Sequence, residues 1–206
     1  MTKTKGKPYV VIFVEGDTDK VFFDNLVNYY EANSLTVVHS CKVVNLKGVS
    51  RYTTKVIGKL KNEICPAAKK KGMEVKAVCC CYDTDCFEFT ERPVVNWRKV
   101  KREVEGLHID EFHQIKVRHM IEDWLLDDIK GLCKYLKLKS VPALQGNDAF
   151  KKIQSLFWHA NKIYLKGNSI SCFIGFLNLG AIRAKRIKEL EKLESVLNVK
   201  LKKDKK

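Results

Sequence analysis

The feature that most constrains the fold is an alternation between continuous apolar runs and amphipathic stretches in the first part of the chain. The apolar runs have the length and composition of strands buried on both faces of a sheet. Strands that alternate with helices are typical of βαβ units, so the sequence predicts an α/β protein with a mainly parallel sheet of about four strands. The predicted strands are Tyr9–Val14, Leu35–Leu46, Val75–Tyr82 and Glu111–Val117.

The stretches between and after these strands have apolar residues at helical spacing. Helices are predicted over Lys20–Ala32, Tyr52–Lys71, Val94–Glu105, Ile121–Leu138, Phe150–Leu165 and Gly180–Leu197, followed by a basic tail at Lys200–Lys206. No internal repeat and no long Pro, Gly or Ser linker divides the chain. We therefore expect the sheet within residues 1–125 and a helical C-terminal extension, not an independent second domain, over residues 126–206.

The charge of the chain points to an acidic partner. Its 206 residues include Lys+Arg 39 against Asp+Glu 24, which gives a formal net charge of +15. An excess of this size favours association with nucleic-acid phosphate. A membrane is not expected as a partner because no apolar run approaches the roughly 20 residues that span a bilayer. The first residues also lack the pattern of a signal peptide, so we expect a cytoplasmic protein.

The cysteines are expected to be reduced. Eight are present, and Cys79, Cys80 and Cys81 are consecutive within a predicted buried strand. Successive side chains of a strand point to opposite faces, which prevents these three from sharing one disulfide framework. Cys81 and Cys86 lack the spacing of a zinc site, so core packing is the preferred interpretation.

Acidic residues follow three of the predicted strands at their ends. Glu15 follows the first strand, Asp83 and Asp85 follow the third, and Glu122 follows the fourth. Ligands of parallel sheets bind at the carboxyl ends of the strands, and right-handed crossovers allow the first and third strands to be neighbours. Carboxylates so close together repel each other unless a divalent cation holds them. The pattern predicts a site for one or two Mg²⁺ or Mn²⁺ ions, with Asp19 facing it from the next helix.

Some of these residues, and Asp17 and Thr18 beside Glu15, also have a simpler interpretation. An Asp-x-Asp pair is frequent by chance. Asp17 and Thr18 are more readily explained as helix caps than as metal ligands. Glu122 could be a solvated residue at the start of a helix.

The order and setting of these residues resemble the Toprim domain, a Rossmann-like catalytic module of topoisomerases, bacterial primases, small maturation ribonucleases and overcoming-lysogenization-defect (OLD) nucleases. The resemblance covers about residues 8–125. It rests on Val14-Glu15-Gly16, Asp19, the turn Lys47-Gly48 and Asp83-x-Asp85. Within the superfamily, the chain looks most like the OLD-type and small stand-alone Toprim nucleases of bacterial defence systems.

This resemblance implies a metal-dependent endonuclease that hydrolyses phosphodiester bonds of DNA or RNA. It also implies an antiviral defence role. The chain lacks the P-loop that OLD proteins carry, so the resemblance points to a separate ABC- or SMC-like ATPase as partner. Met120 stands where the OLD group often has Ser, which is a departure at the second metal position.

The resemblance also implies roles for individual residues. The implied catalytic residues are Glu15, Asp83, Asp85 and Lys166. The implied metal ligands are Asp83, Asp85 and Glu122 for one ion, and Glu15 with Asp19 for the other. In Toprim enzymes the glutamate can instead act as a general acid or base. Lys166 is chosen because it follows an apolar run, precedes a Gly turn and lies at a family-like distance after Glu122.

Basic residues on two predicted helices and one turn are candidates for binding the phosphate backbone. They are Lys47, Arg51, Lys55, Arg98 and Arg102. Trp97 and Trp158 could stack on bases, although packing is the usual role of a Trp in an amphipathic helix.

Two other functions are compatible with the sequence. A Toprim-like module could bind nucleic acid or an ATPase partner without catalysis, although its intact acidic positions disfavour this. A Rossmann-like phosphotransferase or phosphatase could use Asp83 as a nucleophile, but such enzymes begin that motif on the first strand, which here ends in Glu15.

Overall fold

The computed structural model describes residues 6–87 and 94–202, and it contains a four-stranded parallel sheet. The strands are β1 (Lys7–Val14), β2 (Ser40–Asn45), β3 (Met73–Asp83) and β4 (Glu111–Val117). Their order is β2-β1-β3-β4, and all three pairings are parallel. The predicted α/β class and the neighbouring positions of the first and third strands are confirmed.

The sheet is covered by helices on both faces because its central strands are apolar on both sides. In β1, Val10 and Ile12 belong to one apolar cluster, whereas Val11 and Phe13 belong to another. This alternation is the two-residue period of a strand. The consecutive cysteines of β3 follow it too, with the central Cys80 on the face opposite its neighbours. The described cysteines are all free thiols, as expected.

The helices divide between these two faces. The helices are α1 (Asp17–Asn33), α2 (Tyr52–Lys59), α3 (Cys65–Lys70), α4 (Trp97–Glu105), α5 (Ile121–Leu126), α6 (Ile129–Leu136), α7 (Ala149–Trp158), α8 (Ile170–Phe173), α9 (Leu179–Lys185) and α10 (Ile187–Val196). A π-helical turn at Leu60–Ile64 joins α2 to α3. Buried residues of α2 to α4 form one cluster with the sheet, and those of α1 and α5 to α10 form the other.

The helices after β4 are shorter than the sequence predicts. The predicted helix Ile121–Leu138 is interrupted because the Asp128 side chain caps α6 by accepting from Gly131 N at 3.2 Å. That helix ends at Leu136, where Lys137 adopts a left-handed conformation with φ 58°. The last predicted helix is likewise divided at Arg186. The breaks at Asp128 and Lys137 depend on local capping, which helical periodicity does not reveal, whereas Arg186 makes no side-chain cap for α10.

The second strand begins later than predicted, at Ser40 instead of Leu35. The apolar residues before it do not join the sheet, and Leu35 and Val37 are 63% and 86% exposed. Instead, Leu35 N donates to Lys200 O at 2.7 Å, so this segment pairs with the end of the chain. Residues 203–206 of the predicted basic tail lie outside the described residues.

No helix within the described ranges is long and apolar enough to cross a bilayer. Residues on both sides of position 125 contribute to the apolar cluster around α1, for example Val117 before it and Leu132 and Phe157 after it. The division into a catalytic part and an extension stays a prediction.

Candidate active site

The candidate site lies at the carboxyl edge of the sheet, where β1 and β3 end side by side. The Glu15 carboxylate accepts a hydrogen bond from the backbone N–H of Asp83 at 2.9 Å. The Glu15 carbonyl accepts another from Gly48 N at 2.8 Å, which brings the turn after β2 to the same edge. Gly48 has φ 127°, a conformation that favours glycine. The hydrogen bond from Asp83 N thus holds Glu15 and Asp83 side by side, although they are 68 positions apart in the sequence.

Besides Glu15, the carboxylates of Asp19, Asp83 and Glu122 approach this edge from buried positions. Asp19 lies in the first turn of α1 and is 1% exposed, Asp83 is 5% exposed, and Glu122 in the first turn of α5 is 0% exposed. Oδ1 of Asp19 has no hydrogen-bond partner among the described residues. Burial of a carboxylate costs several kcal/mol, roughly, unless a cation or hydrogen bonds compensate it. The interpretation of Glu122 as a solvated residue is therefore wrong.

Lys166 lies between two of these carboxylates. Its Nζ is 3.6 Å from Asp83 Oδ2 and 3.3 Å from Glu122 Oε2. Burial lowers the pKa of Lys166, but the charges of Glu122, Asp83 and Asp19 outweigh that effect, and the pKa is raised overall. Lys166 is therefore a cation at neutral pH and partly neutralises the cluster.

The segment that carries Lys166 is fixed by hydrogen bonds to neighbouring elements. Tyr164 donates its hydroxyl hydrogen to Glu122 Oε1 at 3.0 Å. Gly167 N donates to Thr18 Oγ1 at 2.7 Å. The prediction that Asp17 or Thr18 caps α1 is wrong, because the N-cap residue is Gly16 and makes no side-chain cap.

The carboxylates have unusually high proton affinities. Burial, followed by the charge of Asp19, raises the pKa of Glu15 to about 8. Burial, again followed by the charge of Asp19, raises the pKa of Asp83 as well. Burial also raises the pKa of Asp19 itself, against the lowering effect of Lys166. The cluster thus retains protons near neutral pH unless additional positive charge is supplied.

Asp85 is placed at the border of this cluster. It begins a 3₁₀ turn over Asp85–Phe87, and its backbone N–H donates to His119 O at 3.0 Å. Its negative charge contributes to the raised pKa of Glu15. The described residues therefore bring Glu15, Asp83 and Asp85 to one edge of the sheet, together with the predicted Asp19, Glu122 and Lys166.

The chemistry of this cluster fits a hard divalent cation, since all its acidic ligands are carboxylate oxygens. As the side chains stand, however, no group of three His, Cys, Asp or Glu residues within the described ranges is arranged to hold a metal ion. Lys166 Nζ instead lies near the carboxylates of Asp83 and Glu122. The Lys166 side chain is 46% exposed, so it has access to solvent if a cation replaces its charge.

The basic residues predicted to bind nucleic acid are all exposed. Lys47 lies in the turn after β2, next to the acidic edge, with φ 61°. Arg51 and Lys55 lie at the start of and within α2, and Arg98 and Arg102 lie on α4, which contacts α2. These helices cover the face of the sheet opposite α1. Only Lys47 of this set directly follows a strand at the acidic edge.

The two tryptophans that could stack on bases, Trp97 and Trp158, differ in their environment. Trp97 stacks on Tyr82 with a centroid distance of 4.8 Å and lies 5.3 Å from the Tyr52 ring, so it is a packing residue. Trp158 is 75% exposed. The sequence did not single out Tyr164, because its contact with Glu122 links residues 42 positions apart.

A four-stranded parallel sheet with helices on both faces is compatible with a Rossmann-like fold. The acidic cluster lies where such sheets bind ligands. Comparison with known proteins found no match among family models, curated proteins or solved structures.

Proposed function

We propose that this protein is a metal-dependent nuclease that hydrolyses phosphodiester bonds in nucleic acid. The observation that carries the proposal is the convergence of buried carboxylates around Lys166 at the carboxyl edge of a parallel sheet. Clusters of titratable groups with perturbed pKa values are typical of functional sites. The raised pKa of Glu15 reflects a charge imbalance that bound Mg²⁺ or Mn²⁺ would relieve.

The residues that would hold the metal are Asp83 and Glu122, with Asp85 beside them, and Glu15 with Asp19. A bound ion would supply Lewis acidity and lower the pKa of a coordinated water. Lys166, released from its carboxylate partners, would neutralise charge that develops on the phosphate. The pKa of Glu15 is about 8 without metal, and a bound cation would lower it towards neutral pH, where a carboxylate can give or take a proton.

The resemblance to Toprim nucleases and the charge of +15 support nucleic acid as the substrate. The exposed Lys47, next to the acidic edge, would contact phosphate close to the site, while Arg51, Lys55, Arg98 and Arg102 would contact a more distant stretch. A separate ATPase partner and a role in antiviral defence follow from the resemblance alone and remain part of the proposal.

The test is incubation of the purified protein with supercoiled plasmid, linear DNA, tRNA and total RNA in Mg²⁺, Mn²⁺ or EDTA. Variants Glu15→Gln and Asp83→Asn should lose metal-dependent cutting by at least about 100-fold. Glu191→Gln, an exposed residue on α10, is the matched control and should cut normally. Cutting that persists unchanged in both site variants would overturn the proposal.

A second candidate is a non-catalytic module that binds nucleic acid or an ATPase. It is favoured by the absence, within the described residues, of a ready metal-binding group and by the ion pairs that Lys166 makes with Asp83 and Glu122. Calorimetric titration with Mn²⁺ separates the two functions. A folded protein that binds nucleic acid but neither binds Mn²⁺ nor cuts would support the module.

A phosphotransferase that uses Asp83 as nucleophile is disfavoured. Such enzymes begin the motif on the first strand, which here ends in Glu15, and the Asp83 carboxyl is only 5% exposed.

A further inference from the structure

A cavity of about 510 Å³ opens beside the end of α7, outside the acidic cluster. This volume is within the usual range of ligand pockets. Its lining combines an indole ring, amide side chains and a lysine. The lining includes Gln145, Gln154, Trp158, Lys162, Ile163 and Tyr164.

The cavity is shaped by the way in which α7 ends. Asn161 adopts a left-handed conformation with φ 53°. Lys162 N donates to Phe157 O at 3.0 Å, and Asn161 N donates to Trp158 O at 2.9 Å. This is the Schellman pattern, which reverses the direction of the chain at the helix end. The segment that follows therefore passes beside Trp158 in a defined path.

The apolar part of this cavity faces solvent. Trp158 is 75% exposed and Ile163 is 73% exposed. In contrast, Trp124 is 0% exposed and Trp97 is packed among aromatic rings. Trp158 and Ile163 line one cavity and together form a candidate binding surface.

The cavity shares a wall with the candidate active site. Tyr164 lines the cavity, and its hydroxyl donates to Glu122 Oε1 at 3.0 Å. Lys166, two residues further on, contacts Asp83 and Glu122. The buried Tyr164 side chain, 2% exposed, therefore separates the cavity from the acidic cluster, and a strand bound at both would pass over the segment from Tyr164 to Lys166.

We infer that this cavity binds an unpaired nucleobase of the substrate strand, an inference that rests on the proposed function for its substrate class. Trp158 offers a flat surface on which any base stacks. Gln145 and Gln154 offer amide donors and acceptors to the base edge. Lys162 also lines the cavity and adds a positive charge beside it, with its Nζ over the Tyr135 ring at 4.4 Å from the centroid.

The substrate preference follows from this placement. A base paired within a duplex is stacked and hydrogen-bonded and cannot enter a concave pocket without being flipped out. The protein should therefore act on single strands, or on duplexes with an unpaired base beside the scissile phosphate. Blunt duplex should bind through the basic surface alone.

The inference is tested by binding of oligothymidylate and of a blunt duplex of equal charge to the full chain in EDTA, where no cutting interferes. Oligothymidylate should quench tryptophan fluorescence and bind more tightly than the duplex. Trp158→Ala should abolish the quench and weaken single-strand binding roughly 5- to 100-fold, with little effect on the duplex. Trp158→Phe should retain most of the affinity, because its ring still stacks.

Phe176→Ala, an exposed aromatic outside the cavity lining, is the control and should bind as wild type. Unchanged single-strand affinity in a folded Trp158→Ala variant would overturn the inference even if the wild type cuts nucleic acid. Conversely, a Trp158-dependent single-strand preference without cutting in Mg²⁺ or Mn²⁺ would support the inference while the proposed nuclease function fails.

Discussion

Replacing Glu15 by glutamine is expected to make the metal-free protein more stable at pH 7, although the substitution removes a predicted catalytic residue. Glutamine retains the side-chain oxygen that accepts from Asp83 N. It removes the ionisable group whose charged form is disfavoured by burial and by the charges of Asp19 and Asp85. Because the hydrogen bond is kept, a change in the free energy of unfolding reports the cost of burying the carboxylate.

The magnitude follows from the pKa of Glu15, which rises from an ordinary 4.5 to about 8 on folding. The folded protein therefore binds this proton more tightly than the unfolded chain does. The contribution of Glu15 to the free energy of unfolding is full below pH 4.5 and is lost as the pH rises towards 8. Each pH unit in that window corresponds to at most about 1.4 kcal/mol. At pH 7 the cost reaches about 3 kcal/mol, and structural relaxation reduces it to about 1–3 kcal/mol.

The assay is urea unfolding of wild type and Glu15→Gln in EDTA at several pH values from 5 to 8. The free energy of unfolding of the variant should exceed that of the wild type by a margin that grows with pH. Glu191→Gln should show no such margin. Mg²⁺ should stabilise the wild type more than the Glu15→Gln variant, since a bound ion stabilises the folded state that holds it.

This reasoning is refuted if Glu15→Gln is no more stable than wild type, or if its advantage in free energy of unfolding shrinks as the pH rises. Either result would mean that the Glu15 carboxylate is already compensated in the folded protein and has no need of a cation.

Three other outcomes are expected. Tyr164→Phe should lower the free energy of unfolding by about 1–3 kcal/mol in thermal or urea melts, because it removes the hydroxyl donor of buried Glu122. Lys166→Met should destabilise the protein in EDTA, because it leaves two buried carboxylates without their cation, and Mn²⁺ should recover more stability in it than in wild type. Arg98→Ala with Arg102→Ala should weaken nucleic-acid binding and reduce the slope of log affinity against log salt concentration by about 2.

These outcomes have matched controls. Lys130→Ala with Lys134→Ala removes two positive charges from α6, on the other face of the sheet, and so matches the charge change of the arginine pair on α4. An equal decrease in the salt slope for this lysine pair would show that only net charge matters. Tyr9→Phe removes a hydroxyl from a tyrosine outside the acidic cluster. A Tyr164→Phe variant no less stable than Tyr9→Phe would contradict the role of its hydrogen bond.

The sheet and part of the site could be predicted from sequence because both depend on local patterns. Buried parallel strands are continuous apolar runs, and their carboxyl ends lie at one edge of the sheet. The sequence alone therefore predicts that Glu15 and Asp83 lie close together. The position of Lys166 came from family resemblance and chain distance. Its place after an apolar run and before a Gly turn added support, but nothing in the sequence indicated its contacts with Asp83 and Glu122.

The remaining features depend on contacts between distant segments or on single capping residues. Tyr164 supports the site through a hydrogen bond to Glu122, 42 positions away, and Thr18 through one from Gly167, 149 positions away. The end of α7 depends on Asn161 in a left-handed conformation, which most residue types adopt only rarely. Apolar residues such as Leu35 resembled strand residues in sequence, but they contact the end of the chain.

The hydrogen bond between Gly167 and Thr18 has a consequence for synthesis of the protein. Residues that carry the acidic cluster leave the ribosome well before Tyr164 and Lys166, and domains form only when their contacts are available. A nascent chain that ends before Gly167 therefore has its carboxylates but lacks the groups that order and neutralise them. Under the proposed function, a chain that ends before Lys166, through premature termination or proteolysis, should therefore be inactive.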